Sequence, residues 1–341
     1  MARRLILLAV ALLAAAGLAL GAGAWWFARW LDTPGPAGET VYELAPGTPL
    51  ARVADQLEAA GVVDHGRLFA WYGRFSGNAA RLRAGEYEIP ARATPRTVME
   101  RLVSGDVVLH SVTIVEGWTF AQMRAALEAH PALRPAAAGL AGDEIMERLG
   151  MPGMPPEGWF LPETYRFPRG TSDLELMGLA HEGMKDALAE AWRGRADGLP
   201  LESPYDALVL ASIIEKETGL DAERAMVAGV FARRLARGMR LQTDPTVIYG
   251  LGEDFDGNLR RRDLLADGPY NTYTRAGLPP TPIALPGEAS LRAAVAPADG
   301  DALYFVATGR GDGSHYFSAT LEEHNRAVQR YLKTLRENRR R

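Results

Sequence analysis

From Leu5 to Phe27 the chain carries no charged residue. At about 1.5 Å of helix rise per residue, such a run is long enough to cross a hydrocarbon core of about 30 Å, so it is predicted to be a transmembrane helix. Arg3 and Arg4 precede it. The positive-inside bias keeps residues 1–4 in the cytoplasm and sends everything after Phe27 across the membrane. Trp25, Trp26 and Trp30 fall where an interfacial aromatic belt would sit. The alternative is a cleaved signal peptide, since Ala22-Gly23-Ala24 resembles a cleavage site, but the apolar run exceeds the roughly 7–15 residues of a signal h-region. On either reading the working part of the chain is extracytoplasmic, where ATP is unavailable.

The remainder of the 341 residues, 47% hydrophobic over the whole chain, suffices for a sizeable core and for two domains after the anchor. A formal net charge of -4 gives no overall basic field, which argues against nucleic acid as a partner. With no cysteine, disulfide scaffolds, thiolate nucleophiles and Cys-based metal sites are excluded. There is no dinucleotide-binding glycine fingerprint, no Walker loop and no His-Glu-x-x-His, and the histidines at 65, 110, 130, 181, 315 and 324 are scattered, so no cofactor or metal is expected. His315 and His324 read as surface or loop-anchoring residues.

The fold class is α+β. A linker is expected over 28–39, where Asp32-Thr33-Pro34-Gly35-Pro36 cannot continue a helix. A small α+β module follows over 40–105. It has a strand at Thr40 to Leu44, a helix at Leu50 to Ala60 capped by Thr48 and Gly61, a helix at His65 to Arg74, a strand at Gly85 to Ile89, and a helix begun by Thr94-Pro95. Residues 106–170 form a connecting α+β region with a strand at Val112 to Glu116 and a helix at Phe120 to Ala129. It ends in the loop Pro156-Glu157-Gly158-Trp159-Phe160-Leu161-Pro162-Glu163. Residues 171–341 form a mainly helical domain with long loops: helices at Asp173 to Trp192, Ser203 to Glu217 and Asp221 to Arg237, a long irregular Gly/Pro segment, a helix at Ser290 to Ala296, a strand at Tyr304 to Thr308, and a terminal helix at Leu321 to Arg336. The basic end Arg336 to Arg341 reads as a solvated tail.

Chemistry concentrates at one helix end. Asp206 to Ile214 is almost wholly apolar, so the helix is buried, and it finishes in Glu215-Lys216-Glu217-Thr218-Gly219 with Gly219 as the expected C-cap. Residues two apart point to nearly opposite sides, so Glu215 and Glu217 cannot both face one cleft. Glu217 stands over Ile213, Ile214 and Leu210, whereas Glu215 stands over Ala211 and Ser212. Desolvation is therefore expected to raise the pKa of Glu217, which suits it to donating a proton. The plainer reading is that both glutamates solvate a helix terminus, paired with Lys216 or Arg224. Around them lie GMRLQTDPTVIY, which contains Gln242, Thr243, Asp244 and Tyr249, then PYNTYT, which contains Asn271 and Tyr273, and the proline-stiffened GLPPTPIALPG. Amide, hydroxyl and aromatic groups on rigid loops are a usual way to hold a sugar, although local Asx and Thr turns explain any one of them as well.

The segments ASIIEKET, GMRLQTDPTVIYG, YNTYT, GLPPTPIALPG and LYFVATGRGDGSHYFSATLEEHN, together with EGWFLPETY, resemble the YceG-like endolytic transglycosylases over nearly the whole chain. That resemblance implies a single-pass protein of the bacterial inner membrane, with a LysM-like module over 40–105 and a periplasmic catalytic domain over 171–341. The enzyme it implies cleaves nascent peptidoglycan strands. The resemblance puts the catalytic acid/base on Glu217. Glu215 is then a supporting residue, and Gln242, Thr243, Asp244, Tyr249, Asn271 and Tyr273 are candidates for holding substrate or orienting Glu217. Glu157 and Glu163 are the next carboxylates considered for the groove. Such an enzyme would work beside wall synthases, although no residue marks that contact. Two rival readings stay open: a two-carboxylate peptidoglycan hydrolase using Asp244, and a wall-binding scaffold without catalysis.

Overall fold

A computed structural model describes residues 2–36 and 38–338, without the Leu5 side chain. Met1 of the expected cytoplasmic end and Arg339 to Arg341 of the basic tail lie outside the described residues. In chain order the elements are α1 Ala2–Leu31, β1 Thr40–Leu44, α2 Leu50–Ala59, α3 Gly66–Phe75, β2 Gly85–Ile89, α4 Pro95–Ser104, β3 Leu109–Thr113, α5 Phe120–Glu128, α6 Gly142–Arg148 and β4 Thr164–Pro168. There follow α7 Asp173–Arg193, α8 Pro204–Glu217, α9 Asp221–Ala236, α10 Asp244–Leu251, α11 Arg261–Leu265, α12 Glu288–Val295, β5 Tyr304–Ala307, β6 His315–Ser318 and α13 Leu321–Asn338. The chain divides into two compact units, one of residues 1–110 with 166–170, the other of 111–165 with 171–341. Most of the expected connecting region thus belongs to the second unit.

In the first unit β1 and β2 pair antiparallel with Tyr42 opposite Tyr87. Alternation puts Tyr42, Leu44, Tyr87 and Ile89 inward, where α2, α3 and α4 cover them with Val53, Leu57, Phe69, Val98 and Leu102. Thr94 caps α4 through the Thr97 N–H with Pro95 in the first turn, as expected. Gly61 closes α2 with φ +70, but Thr48 bonds the Ala45 carbonyl and leaves the cap position to Pro49.

Among the described residues α1 is the one helix long and apolar enough to cross a membrane. It does not give way to a linker at 28. The helix continues to Leu31, and Trp30 and Leu31, only 7% and 6% exposed, are part of the first unit's core. Trp30 therefore packs inside protein rather than serving in an aromatic belt, while Trp25 and Trp26 stay exposed. The chain after α1 is tied down as well, since Arg96 donates to Asp32 at 2.8 Å and the Gly35 N–H to the Ala93 carbonyl at 3.0 Å.

The second unit is built around α8, which packs against α7, α9, α10 and α12. Segments expected to be irregular hold short helices: α6 between residues 131 and 170, and α10 and α11 after residue 237. Asp-Pro opens α10, where proline at an early position is pre-set for a helix. The strand at Tyr304 has an antiparallel partner, β6, with Phe305 opposite Phe317.

Candidate active site

Helix α8 begins with a capping box, in which Ser203 accepts the Asp206 N–H and Asp206 accepts that of Ser203, with Pro204 in the first turn. Ala207 through Ile214 are all buried. Ser212 accepts the Ile283 N–H at 3.0 Å and so pins the proline-rich loop to the helix. The helix stops because Thr218 turns to an extended conformation, and Gly219 needs no left-handed backbone.

The two terminal glutamates diverge as their spacing requires. The Glu215 side chain is only 6% exposed, faces the Arg224 guanidinium at 3.6 Å and accepts the Gly287 N–H at 3.0 Å. Arg224 also pairs with Asp221 and faces Glu116 at 4.0 Å. Glu215 is thus a neutralised clamp on the Gly287 loop. Among the described residues no cation pairs with Glu217 in this way. Its Oε1 accepts the Thr243 hydroxyl, and it keeps some accessible surface only because it lines a cleft of about 450 Å³. Burial pushes its pKa up and Asp244 adds to the rise, while the Thr243 hydrogen bond, His315 and Arg234 oppose it.

The cleft wall is assembled from three directions. Thr243 is buried and fixed by its N–H to Thr272 Oγ1 at 3.0 Å. Gln242, at the cleft edge, has φ +51, a left-handed conformation unusual for a side-chain-bearing residue. Its N–H donates to the Thr272 carbonyl at 3.1 Å. Tyr273 donates to Asp244 Oδ1 at 2.5 Å, and burial pushes the tyrosine pKa up, so it remains a donor at neutral pH. Arg234 is buried and donates to the carbonyls of Leu303 and Leu241, both at 2.7 Å, and of Arg240 at 3.2 Å. Its guanidinium lies 5.0 Å from the centre of the Tyr304 ring.

Of the residues singled out in the sequence, Glu217, Gln242, Thr243, Asp244 and Tyr273 come together here. Tyr249 and Asn271 lie apart from the cleft. Asn271 is buried, donating to the carbonyls of Asp263, Leu264 and Ala266 and accepting the Tyr273 N–H at 2.9 Å, so it shapes the loop that carries Tyr273. Tyr249 donates to Glu157 Oε2 at 3.1 Å, and Glu157 Oε1 accepts the Phe120 N–H at 2.9 Å. Glu163 is exposed, beside Glu116, Glu288 and Arg292. His315 anchors as expected, with Nδ1 and its N–H on Glu223 at 2.8 and 3.0 Å. His324 instead lines the cleft and stacks on Tyr304 at 5.2 Å. Arg234, Tyr304, Phe305 and His324 also line the cleft, and of these the sequence alone does not mark Tyr304, Phe305 or His324 as site residues. The aromatic Tyr304-Phe305 strand was the available signal.

Burial raises the Glu157 pKa from 4.5 to about 7. A folded-state pKa above the unfolded one means stability fully present below pH 4.5 and lost as pH rises through about 7. Glu157→Gln is accordingly expected to flatten the dependence of Tm on pH across that window, as a thermal-unfolding series would show.

Comparison with known proteins bears on this geometry. The model of the YceG-like family matches residues 42–330. A Bacillus subtilis protein named endolytic murein transglycosylase is 31% identical over 308 residues, covering 85% of this chain and 84% of that protein. A Streptococcus pneumoniae protein of the same name is 26% identical over 320 residues, 84% of this chain but 57% of that longer protein. The crystal structure of a YceG-like protein from Listeria monocytogenes superposes with a TM-score of 0.52 at 31% identity, covering 84% of this chain and 98% of that one.

Proposed function

We propose, from the premise that this chain belongs to the YceG-like family, that it is an endolytic lytic transglycosylase. It cleaves the bond between N-acetylmuramic acid and N-acetylglucosamine within peptidoglycan strands. The observation that carries the reading is Glu217, a carboxyl group with a raised pKa lining a cleft among polar and aromatic side chains. Protonated Glu217 gives its proton to the glycosidic oxygen as the bond to the muramic C1 breaks, and an oxocarbenium-like state develops there. The resulting carboxylate takes the proton of the muramic C6 hydroxyl, whose oxygen bonds to C1 and closes a 1,6-anhydro ring. Glu217 ends as the protonated carboxyl group it began as, and no water is consumed. Thr243 orients the carboxyl, and Gln242, Asp244 and Tyr273 hold sugar groups at the rim, with Asn271 supporting Tyr273. Helix α1 is read as a single-pass anchor in the bacterial inner membrane, N-terminus cytoplasmic, and residues 40–105 as a LysM-like module. Cutting strands as they are made would place the enzyme beside wall synthases.

The second reading, a hydrolase with two carboxylates, draws on Asp244 lining the same cleft. Incubating the full chain with long glycan strands and measuring their length distribution tests the endolytic claim. Mid-length fragments early in the digest are expected. Disaccharides released from the start would reject internal cutting, and unchanged lengths would favour a wall-binding scaffold.

The pH profile separates the roles further. The acid must be protonated, so the rate is expected to fall as pH rises through the elevated Glu217 pKa. Asp244→Asn removes a charge that raises this pKa and should shift the fall to lower pH, whereas Thr243→Val removes a donor to the carboxylate and should shift it higher. A two-carboxylate hydrolase would instead lose turnover at every pH in Asp244→Asn.

A further inference from the structure

One helix face of the first unit has no part in this chemistry. In α3, Phe69, Ala70 and Gly73 are buried, while Arg67, Trp71, Arg74 and Phe75 are exposed and share one stripe by their spacing. Trp71 and Phe75 are 59% and 82% exposed, and their rings meet edge-on at 5.6 Å. Two large aromatics exposed together on one helix mark a contact surface.

Where α3 begins says what that contact is. Its N-cap residue, His65, has its ring 6.4 Å from that of Trp30. Trp30 is at the end of α1 and is buried in the same core as Phe69 and Ala70. The first unit is therefore built directly on the end of the apolar helix, with no free linker to carry it away from a bilayer. Ten residues of α3 at about 1.5 Å each span about 15 Å, so with the His65 ring 6.4 Å from that of Trp30 the whole stripe stays within roughly 20 Å of the end of α1. Aromatics flanked by arginine are the composition of helices that lie in a headgroup layer, and the guanidinium groups suit lipid phosphate better than uncharged sugar hydroxyls.

We propose that α3 is an interfacial helix, which lays its Arg67, Trp71, Arg74 and Phe75 face on the headgroups of an anionic bilayer and so fixes the orientation of the first unit on the membrane. The proposal rests on α1 being the anchor.

Because the chain has no cysteine, single substitutions Leu12→Cys, Phe75→Cys and Glu88→Cys can each carry a nitroxide in the full chain. The labelled proteins are reconstituted into vesicles of phosphatidylcholine with phosphatidylglycerol, and oxygen and nickel-chelate accessibilities are compared. The label at 12 is expected in the hydrocarbon and that at 88 in water. The label at 75 should lose nickel accessibility several-fold relative to 88, and Arg67→Gln with Arg74→Gln should reverse most of that loss. A label at 75 as water-accessible as 88, with 12 immersed, overturns the interfacial helix and leaves the anchor standing. Exposure of 12 to water overturns both. Protection of 75 only after glycan strands are added would make the face a sugar platform and also overturn the proposal.

Discussion

Replacing Glu217 by Gln is expected to lower the rate of strand cleavage by roughly 10³-fold or more, because one carboxyl serves both as acid and as base and each role is typically worth 10²–10⁴. The substitution removes a single proton-transfer group and little else. Glutamine matches glutamate in size and still offers an oxygen to the Thr243 hydroxyl that now bonds Glu217. Stability should move the other way. A carboxyl whose folded-state pKa is raised carries stability that is present below its unfolded pKa and lost as pH rises through the folded one. At neutral pH the folded protein bears that penalty, and a neutral amide does not. Thermal unfolding of the variant should therefore give an equal or higher Tm at neutral pH, with the advantage vanishing in acid. Loss of activity together with loss of stability would mean that Glu217 is a structural residue.

Arg234→Leu is expected to be the most damaging substitution in the cleft wall. The guanidinium satisfies the Leu303 carbonyl, which precedes β5, and the Arg240 and Leu241 carbonyls, which lead to Gln242 and Thr243. It joins two walls of the cleft. Leaving these acceptors without a donor in a buried place should cost about 2–4 kcal/mol, since each unsatisfied buried group costs about 1–3 and part of the loss is recovered by relaxation. Removing the cation also takes away one influence that lowers the Glu217 pKa. The fall in rate with pH should then move to higher pH in whatever fraction folds. Urea unfolding measures the first effect and the pH profile the second. Arg234→Lys keeps the charge without the planar fork, so it should restore the profile more fully than the stability.

Much of this arrangement was legible in the chain because local rules act strongly there. An apolar stretch ending in Glu215-Lys216-Glu217 forces a buried helix with diverging carboxyl groups, and Thr94-Pro95 marks the start of α4. What escaped depends on contacts far apart in sequence. Arg224 is a partner the sequence already offers the helix-end glutamates, but the Gly287 N–H that Glu215 accepts at 3.0 Å lies far along the chain, and no spacing rule connects it to the helix end. Asn271 looked like a sugar-binding amide, yet three backbone carbonyls occupy its donor group, a fact fixed only by how the loop closes. Trp30 had the position expected of an interfacial tryptophan, and it is the packing of α2 to α4 around it that makes it core. The cleft residues of β5 and α13 lay hidden for the same reason, since Tyr304 and His324 reach Glu217's cleft from the far end of the chain.

The central claim is that Glu217 alone carries the proton transfers and that the muramic C6 hydroxyl, not water, attacks C1. Mass spectrometry of the new chain ends made from purified strands in ¹⁸O-labelled water tests it directly. The expected result is 1,6-anhydro-muramic ends free of ¹⁸O from the wild-type protein and no new ends from Glu217→Gln. Reducing ends that carry ¹⁸O would contradict it and make Asp244 the second carboxylate of a hydrolase.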